Sequence, residues 1–486
     1  MRDLSTAYGL ALSFVLFSNV VLHAQQGDRG AGEFFFPSDS VDSAFRSEVA
    51  GDENPFARPS DPRQPGSSRP STLPQPAASD NSSQFLMSRA NGEFNAPSRA
   101  SSFFSLSAVP YMIGDTTAGA CSSFELAGTS AATISHPTYG CSRLNISENN
   151  SPVLADRFYA SYRHFHNASE IDLFSTAPIG GRNTLDINLL TLGLERKLTE
   201  NSSVEIRLPI TSQLSSDLQI SQTTGPVVSL PLNDTEVAIG NVGVILKFAL
   251  FHTDRVYWSA GLATNIPTAP DVNIQVTTQD DQYVILDPIT GTPVTPPFRF
   301  DAQFRIQRAN DTVNLSPFLA SVFHFSDSFY GLGFVQLDVP VNDSDVRTSG
   351  FYSVEGATPT RFDETEGISQ QVLMRLNVGL GKQIWSNPNP CGFVNAVNLL
   401  AEVHYTTTLN DADLVGPVTI GPPLGNGAAT VTNGNLANRV DTFNGLLGAQ
   451  VQVQKTIITN GFAAPFRDGA DRGFDFEYNF SINRLF

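Results

Sequence analysis

The chain has 486 residues, enough for two or three soluble domains or for one large barrel with appendages. Charged residues make up 16% of it, against roughly 25% in an average soluble protein, while Phe occurs 35 times and the net charge is −18. That acidity excludes nucleic acid as a partner, because phosphates require a basic footprint.

In chain order, residues 1–24 (MRDLSTAYGLALSFVLFSNVVLHA) read as a signal peptide. Arg2 stands in a short n-region, an apolar run spans Tyr8–Leu22, and cleavage follows Ala24. Beyond it no stretch reaches the roughly 18–20 apolar residues of a transmembrane helix. Residues 25–100 are rich in Ser, Pro, Gly and Asp and bury too little apolar surface to offset their ordering entropy, which predicts a disordered linker. Residues 101–152 regain apolar content without a long period and are expected to form a lead-in or a plug. Cys121 and Cys141 lie close enough in sequence for a local disulfide, leaving Cys391 odd.

From residue 153 to 486 the pattern is one of runs alternating apolar and polar residues, separated by turn-forming clusters. SVEIRLPI sets Val204, Ile206, Leu208 and Ile210 opposite Glu205 and Arg207. QVLMRLNVGLGKQ and AVNLLAEVHY repeat the scheme, with Arg375, Asn377, Glu402 and His404 on the polar side. Twelve strands are predicted, at 155–166, 184–198, 203–213, 237–251, 255–266, 313–325, 329–341, 368–385, 394–408, 441–454, 458–466 and 474–486. A soluble sandwich and a membrane barrel share this alternation. Loop length separates them: long and short connections alternate along the chain, as the outer loops and periplasmic turns of an outer-membrane barrel do and the loops of a sandwich need not. The expected fold is therefore an all-β, transmembrane, antiparallel up-and-down barrel of about 12 strands.

Charges on the predicted inner faces are the lumen-lining candidates: Glu205, Arg207, Lys247, Asp338, Arg375, Glu402, His404, Asp475 and Glu477. A basic side chain facing lipid at mid-depth costs about 2–4 kcal/mol, so inward placement is expected. Such groups either filter solutes or pair across the lumen and brace it. His164 and His166 share one strand face at a chelating spacing, but no third ligand is adjacent, and no metal or cofactor is expected. NVGLGKQ lacks the frame of a phosphate loop, and no G-x-S-x-G or H-E-x-x-H motif occurs, which disfavours an enzyme.

The closing stretch FDFEYNFSINRLF resembles the C-terminal signature of bacterial outer-membrane barrels, a terminal aromatic preceded by alternating hydrophobes. Tyr478, Phe480, Ile482 and Phe486 hold the expected parity and Arg484 departs from it. The resemblance implies the barrel-assembly machinery as a partner. ENNSPVLADRFYASYRHFHNAS (148–169) resembles the first-strand segment of uncharacterised outer-membrane proteins. NDTEVAIGNVGVILKFAL with YWSAGLATNIPTAPDV is similar to central strands of a barrel family linked to aromatic-degradation clusters, which implies uptake of hydrophobic compounds. The expectation is a barrel in the bacterial outer membrane, in contact with its lipid and with its N-terminal linker in the periplasm, passing a small solute through a charged lumen. A side-chain-filled structural or surface-binding barrel, and a secreted soluble sandwich that binds a ligand, are the rival expectations.

Overall fold

The computed structural model describes residues 111–114, 122–127, 131–136 and 143–486, apart from loop residues 175–181, 213–215, 221–226, 233–236, 284–289, 291, 293–297, 390–391, 422–428 and 469–470. The predicted signal peptide, the linker and all three cysteines lie outside the described residues.

Twelve strands form the wall. They are β1 (Arg157–Phe174), β2 (Arg182–Thr199), β3 (Ser202–Ser212), β4 (Val242–His252), β5 (Val256–Ile266) and β6 (Asn314–Ser326). They continue as β7 (Phe329–Pro340), β8 (Leu373–Ser386), β9 (Val394–Thr408), β10 (Asp441–Val453), β11 (Thr456–Pro465) and β12 (Phe476–Leu485). Each pairs antiparallel with its sequence neighbour, and β12 returns to β1 with Arg157 opposite Leu485 and His166 opposite Phe476. The circle is closed, so no row of backbone N–H and C=O groups is left to face lipid unpaired, the condition for a β-protein to span a membrane.

Burial is inverted relative to a soluble protein. Outward residues are apolar and exposed, among them Phe158, Leu194, Ile206, Phe248, Val378, Leu399, Val403, Leu447, Phe462 and Ile482. Their inward neighbours are polar and buried, such as Glu205 and Arg207 flanking Ile206, and Glu402 and His404 flanking Val403. A soluble sandwich would show the reverse, so this is a membrane barrel of the outer-membrane type.

One end of the barrel carries tight turns, including Gln454–Lys455 between β10 and β11, where Gln454 takes a left-handed φ of 53° suited to a two-residue hairpin. At the other end the long connections fold further. Ser216–Ile220, Val227–Leu232, Val272–Tyr283, Phe298–Arg308, Ser344–Val354 and Thr360–Ile368, drawn from three successive loops, build a six-stranded antiparallel sheet. The loop after β9 contributes the paired strands Leu414–Ile420 and Ala429–Gly434. A hairpin of Ser122–Ala127 and Ala131–His136 bridges Ala429–Gly434 to the far end of β1.

Candidate functional site

The lumen is occupied by the chain segment that precedes β1. Residues 111–114 form one leg and residues 143–155 a second, and between them lies the hairpin at the long-loop end. The described part of the first leg runs from near the short turns, where Tyr111 packs with Ala155, Ile457 and Leu485, to mid-barrel at Gly114. The second descends from Arg143, beside Asp338 and Arg375 near the long loops, to Ala155 beside Glu195 near the turns. Met112, Ile113 and Ile146 join inward residues such as Phe165, Ile187, Ile245, Phe334 and Leu446 in one apolar cluster.

Neither leg pairs as a strand with the wall, so its backbone groups bond to wall side chains and to the other leg, Met112 N–H donating to Asn150 O at 2.8 Å and Asn149 N–H to Ile113 O at 3.2 Å. Glu402 on β9 accepts the N–H groups of Ile113 and Gly114 at 2.7 and 3.0 Å. Arg163 on β1 donates to the carbonyls of the same two residues at 2.8 and 2.9 Å. Gln450 donates to Tyr111 O, Gln336 accepts from Ile146 N and donates to Leu144 O, and Arg207 donates to Asn145 O. The wall has room for the first leg where Gly448 on β10 faces Gly461 on β11. A Cβ on either would stand 2.4 or 2.8 Å from Ile113 Cδ1.

The charges form three tiers. Nearest the short turns, Glu195 pairs with Arg157 at 2.8 Å and with Lys247 at 3.0 Å, while Glu205 pairs with Arg207 at 2.7 Å and with Arg157 at 3.3 Å. Tyr159 donates its hydroxyl to Glu205, and Lys247 also donates to Asn150 and to Ser151 O. In the middle tier Arg163 lies between Glu148 at 3.0 Å and Glu477 at 2.5 Å, and His404 Nε2 stands 2.9 Å from Glu402. Toward the long loops, Asp338 is approached by Arg143 at 3.7 Å and Arg375 at 3.9 Å and accepts from Ser316. Beyond Arg143 a pocket of about 90 Å³ is lined by Arg143, Arg308, Arg375, Gln370, Thr406 and Thr442, among others. Burial, followed by the neighbouring Arg143, pushes the Arg308 guanidinium down to about 10.

Of the lumen-lining candidates, Glu205, Arg207, Lys247, Asp338, Arg375, Glu402, His404 and Glu477 are at most 3% exposed and lie inside the barrel. Arg375 lines the pocket; the others hold one another and the two legs. Asp475 departs from the expectation. It precedes β12, is half-exposed at the rim, and pairs with Arg472 at 2.6 Å. The strand begins only at Phe476, and Phe474 turns inward against Phe165, so the alternation of the closing stretch does not extend back to Asp475. Tyr478, Phe480, Ile482 and Phe486 form an outward row, with Arg196 over the Phe486 ring. Arg484 also points outward and donates to Thr456. Sequence reasoning missed Glu148, Arg157 and Glu195. Arg157, Tyr159, Ser161 and Arg163 share an inward parity on β1, and Glu195 shares that of Ile187, Leu189 and Thr191 on β2, which was the available signal.

No family model and no curated protein matches the chain. Among solved structures, the translocator domain of the autotransporter NalP from Neisseria meningitidis is similar at 9% identity and TM-score 0.35, over 69% of this chain and 89% of that one. An outer membrane channel from Pseudomonas putida F1 is similar at 8% identity and TM-score 0.36, over 71% and 100%. The Pseudomonas putida toluene transporter TodX is similar at 9% identity and TM-score 0.35, over 68% and 87%. At these values the likeness carries neither a solute nor a mechanism over to this chain.

Proposed function

We propose that the protein is an outer-membrane barrel for uptake of a small solute, closed at rest by its own residues 111–114 and 143–155, with the short turns facing the periplasm. The observation that carries this reading is the position of the open space. The pocket lies at the long-loop end, at the head of the descending leg, whose own Arg143 lines it. Guanidinium forks recognise carboxylates through paired hydrogen bonds, so a small carboxylate-bearing solute suits a pocket lined by Arg143, Arg308 and Arg375. Occupancy there would compete with Asp338 for Arg143 and so act on the leg that closes the lumen. The lumen charges then serve as a clamp on the legs and, once these move, as a polar path.

Conductance in planar bilayers tests the reading. The full-length protein should insert with low conductance, and a form lacking residues 25–152 should conduct far more. A shortened barrel that inserts, stays electrically silent and takes up no solute in liposomes would refute it. A specific observation favours a second reading, a structural barrel with a permanently filled lumen. Each charge closest to the short turns pairs with an opposite charge inside the lumen, as bracing alone would require. The same silence in both forms would support that reading.

A further inference from the structure

Outside the lumen, the structure brings together three side chains that the sequence keeps apart. His164 and His166 point outward from β1, and Asp186 points outward from β2. One ligand atom from each lies within 4.8 Å of the other two. We propose that His164, His166 and Asp186 form a binding site for a divalent late transition metal of the zinc class on the outer wall of the barrel.

Their position follows from the edge of the apolar belt. Along β1 the outward row runs Phe158, Tyr162, His164, His166, and along β2 it runs Leu194, Leu190, Asn188, Asp186. Tyr162 pairs with Leu190 and His164 with Asn188, so the surface changes from apolar to polar between two adjacent rungs. The cluster therefore sits on the long-loop side of the belt, where water and lipid headgroups meet it and a hydrated ion can arrive.

The backbone is shaped around the cluster. The β1–β2 register runs regularly to Phe165↔Ile187 and resumes at Ser169↔Leu185, so residues 166–168 stand opposite Asp186 alone. Bulges of this kind re-aim side chains. Here Asn167 takes a left-handed φ of 54°, and its N–H donates to Asp186 Oδ1 at 2.9 Å, fixing the carboxylate from behind. Its side chain is tied in turn to Asp475 at 2.7 Å. His166 Nδ1 lies 2.9 Å from Asp186 Oδ1, and His164 Nδ1 lies 2.9 Å from Asn188 Oδ1. The Phe476 ring, 4.9 Å from His166 and 6.3 Å from His164, limits rotation of both imidazoles. Two imidazoles and a carboxylate match the ligand preferences of zinc and its neighbours rather than those of calcium or magnesium, which take oxygen. A hydrogen-bonded carboxylate is the outer support that such sites use.

The test uses full-length protein without a histidine tag, purified in detergent, stripped with chelator and titrated with Zn²⁺ by calorimetry. Cu²⁺ electron paramagnetic resonance serves as the spectroscopic probe. The expected result is one equivalent of Zn²⁺, with nitrogen couplings in the Cu²⁺ spectrum. Asp186→Asn should weaken binding by about tenfold or more. The double variant His164→Ala/His166→Ala should abolish it, while still migrating as a heat-modifiable barrel. No stoichiometric binding, or binding unchanged in both variants, would overturn the proposal. None of the three residues lines the lumen, so conductance can be normal whether or not metal binds, and the failure of either reading is visible separately.

Discussion

Glu195 shows how single residues hold the lumen. It is fully buried and receives Arg157, Lys247 and the Ser203 hydroxyl. Taking one partner out of a buried ionic set leaves the others desolvated and uncompensated, which costs about 3–5 kcal/mol. Glu195→Gln should therefore lower the temperature at which the folded band converts to the unfolded one on a gel by a wide margin, whereas Glu364→Gln, exposed on the outer sheet, should leave it unchanged. Outside the belt, Asp363 is held below its usual carboxylate range, first by the hydrogen bond from Arg347. A carboxyl depressed by folding stabilises above its unfolded pKa, and that contribution is lost as pH falls through the folded one. The Arg347 Nε–H resonance should hence be steady at neutral pH and shift only below about pH 4, and Asp363→Asn should remove that step. At this scale the sequence was informative about sign and side: the alternation marks Glu205, Arg207 and Glu402 as inward. Beyond the same-strand pairs Glu205–Arg207 and Glu402–His404 it was silent on partners, because Arg157, Tyr159 and the leg backbone reach these residues from other strands or from the legs.

Gly114 on the first leg has φ +71°, and a Cβ there would stand 2.4 Å from Glu148 Cα on the second. A left-handed conformation costs a non-glycine residue about 1–2 kcal/mol, and here a backbone collision is added. Gly114→Ala should unseat the legs while leaving the wall intact, so single-channel conductance should rise with heat-modifiable migration preserved. Unchanged conductance would count against the legs as the closure. The wall strands were legible because lipid and lumen impose a period of two over ten or more residues. The legs were legible only as a lead-in or plug over 101–152 and without a path, because their partners in the wall are Glu402, Arg163, Gln336 and Gln450 rather than a neighbouring strand, and such partners leave no period. Asp186 escaped notice as a companion of the two histidines for a similar reason. It comes beside them through the β1–β2 register, in which His164 faces Asn188 and Phe165 faces Ile187, and a register leaves no mark within either strand. The outer sheet was read as loops, since the length of a connection says nothing of what it folds into.

For the whole molecule the governing fact is the inversion of burial. Leu447 is 68% exposed at the middle of β10, on the face that meets lipid. Arg at such a depth costs about 2–4 kcal/mol. Leu447→Arg should accordingly reduce the yield of folding into lipid vesicles, and Gln452→Arg, inward and near the turns, should not follow that depth rule. Equal losses would contradict the assigned faces. The overall architecture was the most legible level of all, for it rests on the parity of loop lengths and on alternation summed over many strands, where an error of a residue or two at any edge cancels.

The route of the legs has a topological consequence. The second leg runs the length of a ring that is sealed by β12 against β1, the described part of the first reaches its middle, and the hairpin between them in sequence is stitched at the long-loop end to Ala429–Gly434 and to β1. The ring is thus threaded like a bolt with its head on the far side. The head can make its pairings with Ala429–Gly434 and β1 only after the hairpin has reached the long-loop end, which sets an order on assembly. Afterwards the legs cannot be withdrawn toward the turns unless the head first comes undone.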